Sequence, residues 1–242
     1  YTLWHTLSLH DALPISAAIA DEIKRRQLDI RWMAYANPIG LDREQVARFK
    51  DAGCVGLELG LDAVTEKMIE KMGKCFSQDQ VAQACTALRE GGLPFAVFLL
   101  FGGPGDTWDD VRQSQQFLNH VPSPHAVFAS LGLRIYHETP IYDIAVDEGV
   151  ISADDPLLEP RYYVANELGD DAIYELDRIA CQDPKWTTAL DWESLPVKLI
   201  QGLLGRFRVL PAWENIENYG KYMRPWWRKL FPARRRHRRR PA

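Results

Sequence analysis

Leu93-Pro-Phe-Ala-Val-Phe-Leu-Leu-Phe-Gly-Gly-Pro-Gly-Asp106-Thr107 decides the fold class of this chain. Eight of the nine residues from Leu93 to Phe101 are apolar, and the run stops at Gly102-Gly103-Pro104-Gly105. A short continuous apolar run closed by a turn is the pattern of a strand buried on both faces, hence of a parallel sheet flanked by helices. An amphipathic helix follows, opened by Asp106 or Thr107. Ligands of such sheets sit outside the carboxyl ends of the strands. Glycines there let the backbone approach a ligand, and the next helix presents free N–H groups. The Gly102–Gly105 turn is therefore a candidate cofactor cradle; strand–helix packing alone is the other reading.

Working outward, the same alternation recurs. Leu28–Tyr35 reads as a strand ending at Asn37-Pro38, after helical spacing over Ala17–Gln27. Leu41–Ala52 is helical, with Gly53 as its stop, and Cys54–Leu59 is a second strand running into Gly60-Leu61-Asp62. Helices are predicted at Val64–Met72 and Ser77–Glu90, the latter with Ser77 as N-cap. Phe95–Phe101 and Trp108–His120 form the third strand and helix; His125–Ile135 is the fourth strand and Ile141–Glu148 its helix. Strand–helix alternation over this length implies parallel βαβ units. About four such units do not close an eight-stranded barrel, so an open sheet or a partial barrel is expected. Beyond Ile151 the texture changes. Five of the eight tryptophans lie from Trp186 to Trp227, and helices are plausible at Asn166–Cys181 and Leu195–Leu210. A mainly helical extension over 152–220 is the expectation.

Composition bounds the rest. The chain has 242 residues and 46% hydrophobic content, with no apolar run long enough for a membrane helix. We therefore expect a cytoplasmic protein. Cys54, Cys75, Cys85 and Cys181 are scattered without metal-ligand spacing. From Lys221 to Arg240 there are ten basic residues and no acid, leaving a net charge of −14 for the rest. The segment 221–242 reads as a solvated, disordered basic tail, with contact to nucleic acid or an acidic membrane surface as the alternative. Residues 1–16 lack periodicity, and Thr6–Ser16 resembles translated sequencing-adapter DNA, so this segment is expected to be non-native.

Four pieces then occur in an order that resembles radical S-adenosylmethionine (radical SAM) enzymes. They are Arg31-Trp32 with the Asn37 turn; Gly56-Leu-Glu-Leu-Gly-Leu-Asp62 followed by Glu70–Lys74; Leu99 to Thr107; and Arg134-Ile-Tyr-His-Glu-Thr-Pro-Ile-Tyr142. The resemblance covers 17–151 and is similar to the later strands of an incomplete (β/α)6 partial TIM-type barrel, in the branch with an N-terminal cobalamin domain. It implies S-adenosylmethionine, a [4Fe-4S] cluster, an electron donor, possible use of cobalamin, and radical methylation or rearrangement of a substrate. By the same resemblance Asp62 faces the ribose or methionyl group, where a carboxylate accepts two hydroxyls or pairs with an ammonium. Asp62 also suits an N-cap for the helix at Val64. Gly102, Gly103, Pro104 and Gly105 match the turn beside the adenosyl group, and Arg134 and Tyr136 stand at the barrel mouth. Ala63 departs from the small hydroxyl residue usual there. Glu58 alternates toward the barrel interior, where a carboxylate must be paired or coordinating. His125 and His137 read as structural or surface residues, and Met68 and Met72 as core.

The family's CxxxCxxC loop, which holds the cluster, does not occur in this sequence. Aligned on its motifs, the chain begins before the third barrel strand, and we expect a fragment inactive by itself. A non-catalytic nucleoside-binding module, docking by its basic tail on an anionic partner, is the alternative. An acid–base enzyme on a (β/α) scaffold is the weakest, since no His/Glu pair falls at the strand ends. A long sequencing read across the locus is expected to show an in-frame CxxxCxxC upstream of the Ala17 codon. A start codon immediately before Tyr1 would favour the binding module instead.

Overall fold

A computed structural model of the protein describes residues 12–192 and 212–226. Its centre is a five-stranded, wholly parallel sheet. The strands are β1 (Trp32–Ala36), β2 (Cys54–Asp62), β3 (Phe95–Phe101), β4 (Ala126–Leu131) and β7 (Trp186–Thr188), in the spatial order β1-β2-β3-β4-β7. Between them run α1 (Ala12–Arg25, before β1), α2 (Arg43–Asp51), α3 (Glu66–Lys71), α4 (Gln78–Glu90), α5 (Trp108–His120), α6 (Pro140–Asp147) and α7 (Ala172–Ala180). Leu133–Arg134 (β5) and Tyr162–Tyr163 (β6) form a small separate antiparallel ladder.

The strands put alternate residues on opposite faces. Leu57, Leu59 and Leu61 join Val97, Leu99, Phe101, Val127 and Trp186 in the main core. The helices seal this outer face: Val46 and Phe49 from α2, Val81, Ala84, Cys85 and Leu88 from α4, Val111 and Leu118 from α5. The i, i+3, i+4, i+7 spacing in α4 makes one stripe, and its Ser77–Gln80 capping box ends the helix cleanly. Truncating a buried leucine such as Leu88 to alanine in a core of this kind costs about 2–5 kcal/mol. The inner face carries Met33, Tyr35, Glu58, Phe98 and Phe128, and here a second cluster gathers Ala96, Ala126 and Phe128 with Trp213 and Ile216. Helices on one face and strands in chain order are the arrangement of a partial barrel. Gly53, at φ +87°, is held to glycine by close approach: a Cβ there would lie 2.1 Å from the Ile30 carbonyl oxygen.

Several sequence expectations shift. The first strand starts at Trp32 rather than Leu28, and α1 takes in Ala12–Ser16 from the segment expected to be foreign. The predicted fourth strand breaks at Gly132, whose φ of +92° turns Leu133–Arg134 out of the sheet. The predicted Asn166–Cys181 helix is a short 3-10 turn, a break at Gly169 and then α7. β7 is a further strand; Leu195–Leu210 lies outside the described residues. Lys221–Trp226, expected to begin a disordered tail, are helical.

This C-terminal segment is clamped by charge. Arg224, 3% exposed, pairs with Asp191 at 3.0 Å and donates to the Trp186 carbonyl, joining the segment to β7 and the short helix α8 (Ala189–Trp192) after it. A buried carboxylate deprived of its cation costs far more than a surface pair contributes. Arg224→Met should lower unfolding stability by about 3–5 kcal/mol in urea titration. Lys221→Met, breaking the surface pair with Glu217, should leave the midpoint unchanged.

Candidate functional site

The carboxyl ends of β2, β3 and β4 lie side by side, and two of the expected site elements, the Asp62 turn and the Gly102–Gly105 turn, meet there. Asp62 ends β2 at φ +60°, with the Ala63 N–H donating to the Leu61 carbonyl at 2.7 Å. That is a three-residue turn of positive φ, a strained form that non-glycine residues adopt where function or packing holds them. Its carboxylate pairs with Lys74. Asp62 does not cap α3; the Thr65 hydroxyl does, accepting from the Met68 N–H at 3.4 Å.

Gly102–Gly105 forms the next turn. Gly102 (φ +92°) and Gly103 are buried, and a Cβ on Gly103 would press on Met68 at 3.4 Å. The Asp106 carboxylate, 1% exposed, ties the turn by accepting the Gly102 N–H at 2.7 Å and the Thr107 N–H at 3.1 Å. Ala165 donates to the Gly102 carbonyl at 3.0 Å, strapping the turn from the other side. Thr107 is the N-cap of α5, in a capping box with Asp110. Burial pushes the Asp106 carboxyl up to about 6, against the lowering pull of the Gly102 hydrogen bond. Burial also raises neighbouring Asp110, but hydrogen bonds from Lys67 (2.6 Å) and Thr107 outweigh it and hold that carboxyl below its ordinary value.

Arg134 and Tyr136 are exposed, and the guanidinium lies 4.9 Å from the Tyr136 ring centre. They stand beyond the sheet, on and after β5. Pro104 and Gly105 are half-buried, with Lys71 against Gly105. Glu58 is set apart from the turns, in mid-strand on the inner face. It accepts the Trp213 indole N–H at 2.8 Å, and its hydrogen bond with the Tyr35 hydroxyl pushes that phenol up. His125 is structural: its Nδ1 accepts the Phe95 N–H at 3.3 Å, bridging β3 and β4. Met68 is core and Met72 packs against it.

Trp213, Tyr35, Asp106 and Lys74 were not predicted as site groups. Asp106 and Lys74 lie inside quoted motifs, but nothing local marks a carboxylate as buried. Trp213 is 155 residues from Glu58, beyond any sequence signal.

An open parallel half-barrel with two ordered turns at its carboxyl edge is the class these observations define. Residues 7–118 match the profile of the Radical SAM superfamily. An uncharacterized methyltransferase of Pyrococcus horikoshii is 22% identical over 172 residues, 67% of this chain and 36% of that protein. The solved radical S-adenosylmethionine methyltransferase TsrM from Kitasatospora setae, with cobalamin and a [4Fe-4S] cluster bound, superposes with a TM-score of 0.67 at 19% identity. That match covers 91% of this chain and 51% of TsrM. OxsB, a cobalamin-dependent S-adenosylmethionine radical enzyme, gives 0.52 at 12% identity over 94% of this chain and 39% of its own. Over residues 7–118 the chain is similar to the radical SAM superfamily, and its sheet has the form of part of that barrel; it spans about a third of the curated methyltransferase it matches. The radical SAM family implies S-adenosylmethionine and a [4Fe-4S] cluster as cofactors of its members. Among the described residues no helix is long and apolar enough to cross a membrane.

Asp106 makes the turn pH-sensitive. Its folded value of about 6 exceeds the ordinary 3.8, so the stability it contributes is fully present below about pH 4 and is lost as pH rises through about 6. The span corresponds to at most about 3 kcal/mol. The stability difference between wild type and Asp106→Asn should therefore change across this window, as read by thermal melts at stepped pH. A pH-independent difference would show that Asp106 does not titrate there.

Proposed function

We propose that this chain forms the carboxyl-side part of the barrel of a cobalamin-dependent radical SAM enzyme. The reaction is methylation or rearrangement of a substrate at an unactivated carbon. The observation that carries this reading is the strained Asp62 turn beside the Asp106-tied Gly102–Gly105 turn, on adjacent strands at the edge where such sheets take ligands. The cobalamin bound in TsrM and OxsB supports the branch.

In this reading Asp62 is the acceptor for ribose hydroxyls or the partner of the methionyl ammonium, in exchange with Lys74. Gly102 and Gly103 let the turn pack closely on Leu131 and Met68 beside the adenosyl group, and Asp106 keeps that backbone in place. Arg134 and Tyr136 contact substrate or nucleoside at the rim. A [4Fe-4S] cluster, held by residues other than this chain's cysteines, would supply the electron for reductive cleavage of S-adenosylmethionine. The chain's own cysteines do not fit the cluster. Cluster ligands must be thiolates, yet burial pushes the Cys54 and Cys85 thiols up to about 11 and about 12. Cys75 is exposed, and Cys181 lies beside Asp177 on α7, in a different part of the fold. The ligands would come from residues outside this chain, as would a cobalamin site.

Calorimetric titration with S-adenosylhomocysteine tests the reading. The folded chain should bind it, and Asp62→Ala should weaken binding about tenfold or more, the usual worth of a charge-assisted hydrogen bond. A flat titration of folded protein would sink the proposal. Anaerobic iron and sulfide reconstitution of the same chain should leave no stable four-iron chromophore.

A further inference from the structure

We infer that the C-terminal helical segment, with the basic run that follows it in sequence, is a docking surface for an anionic phospholipid membrane. Exposed aromatic side chains enter the headgroup layer, and a cluster of cations beside them meets the lipid charge.

Residues 212–226 are helical and two-faced. Trp213, Ile216, Gly220 and Arg224 are buried against the body, at the three- and four-residue spacing of one helix side. Tyr222, Met223 and Trp226 lie outside that side, at 74%, 41% and 61% exposure. Trp226 is four residues after Tyr222 and three after Met223, so the three form one patch. The orientation is fixed. Arg224 is held by its buried pair with Asp191, and Gly220 packs so closely that a Cβ there would lie 2.1 Å from the Pro184 carbonyl oxygen. The helix cannot roll to hide its aromatic side without breaking that ion pair. Aromatic surface held in water in this way marks an interaction site.

The sequence beyond Trp226 says what the patch meets. It continues Trp227-Arg-Lys-Leu-Phe231, and Arg228 to Arg240 contains eight Lys or Arg and no acid. The remainder of the chain holds 21 basic and 33 acidic residues, a net charge of −12. Chain length alone keeps Arg228 and Lys229 within about 11 Å of Trp226. Tyrosine and tryptophan interleaved with cations are the composition of a segment that lies in a bilayer interface. Each cation near an anionic leaflet strengthens binding about fivefold. The acidic body is repelled by the same leaflet, so this end alone makes contact. A nucleic acid would also draw the cations, and its bases stack on aromatic rings. Met223 and Leu230, however, gain nothing from bases, whereas the acyl boundary takes them.

Cosedimentation of the 242-residue chain with vesicles tests this. The chain should pellet with mixed phosphatidylcholine–phosphatidylserine vesicles, stay in solution with phosphatidylcholine alone, and be released by high salt. Tyr222→Ser combined with Trp226→Ser should weaken binding about tenfold or more. Should that double variant lower the melting temperature, Tyr222→Ser alone carries the aromatic test. Arg234→Glu, Arg235→Glu and Arg236→Glu together should weaken binding at least as much while the melting temperature holds. No pelleting with either vesicle, equal pelleting with both, or full binding by the folded aromatic variants would each overturn the inference. A single-stranded RNA oligomer is titrated in parallel. RNA binding without vesicle binding would make the segment a nucleic-acid arm and overturn the inference; vesicle binding that depends on the aromatic side chains supports it whatever the RNA does.

Discussion

The parallel ladder of β2, β3 and β4 is the constraint on which everything else depends. Parallel neighbours cannot be joined by a tight turn, so each strand needs a crossover, and the crossover helices here cover one face. Two consequences follow from that geometry. All carboxyl ends arrive at one edge, which sets the Asp62 turn beside the Gly102–Gly105 turn although forty residues of chain separate them. On the other face, among the described residues, Trp213 and Ile216 pack on Ala96, Ala126 and Phe128, and Glu58 stands there in mid-strand paired with the Trp213 indole. The outer leucines of β2 and its inner Glu58 are thus products of one pleat.

The two carboxylates at the carboxyl edge are held differently. Asp106 accepts two main-chain N–H groups, whereas Asp62 sits on a main-chain turn and its carboxylate pairs with Lys74. Backbone donors have fixed directions, so the Asp106 carboxylate is fixed by the turn itself. Burial of Asp106 is the cost of that arrangement, visible in its raised protonation equilibrium. Lys67 and Lys74 play the complementary part, each neutralising a carboxylate near the edge.

Much of this was legible in the sequence because the signals are local. Phe95–Phe101 and Trp108–His120 run where the apolar run and helical spacing place them, and Ser77 caps α4 as its spacing predicts. Glu58 falls on the inner face because strands alternate. The losses are also physical. Leu28–Arg31 looks like strand by composition but has no ladder partner, so the strand begins only at Trp32. The break at Gly132 depends on pairing with Tyr162–Tyr163, and β7 has only three residues, too few for periodicity. The cap on α3 fell to Thr65 instead of Asp62, since Asp62 is committed to its own turn. Trp213 and Arg224 were unreadable because their partners come from distant chain.

That distance gives the Trp213–Glu58 bond a place in time. The ladder from β1 to β4 closes through neighbours in sequence, each loop costing little entropy to join. The contact that floors the inner face spans 155 residues and waits for the far end of the chain. As the chain is made from its amino end, the sheet stands with its inner face bare until Trp213 arrives. The inner face is therefore built open, and the Trp213 contact on it forms last.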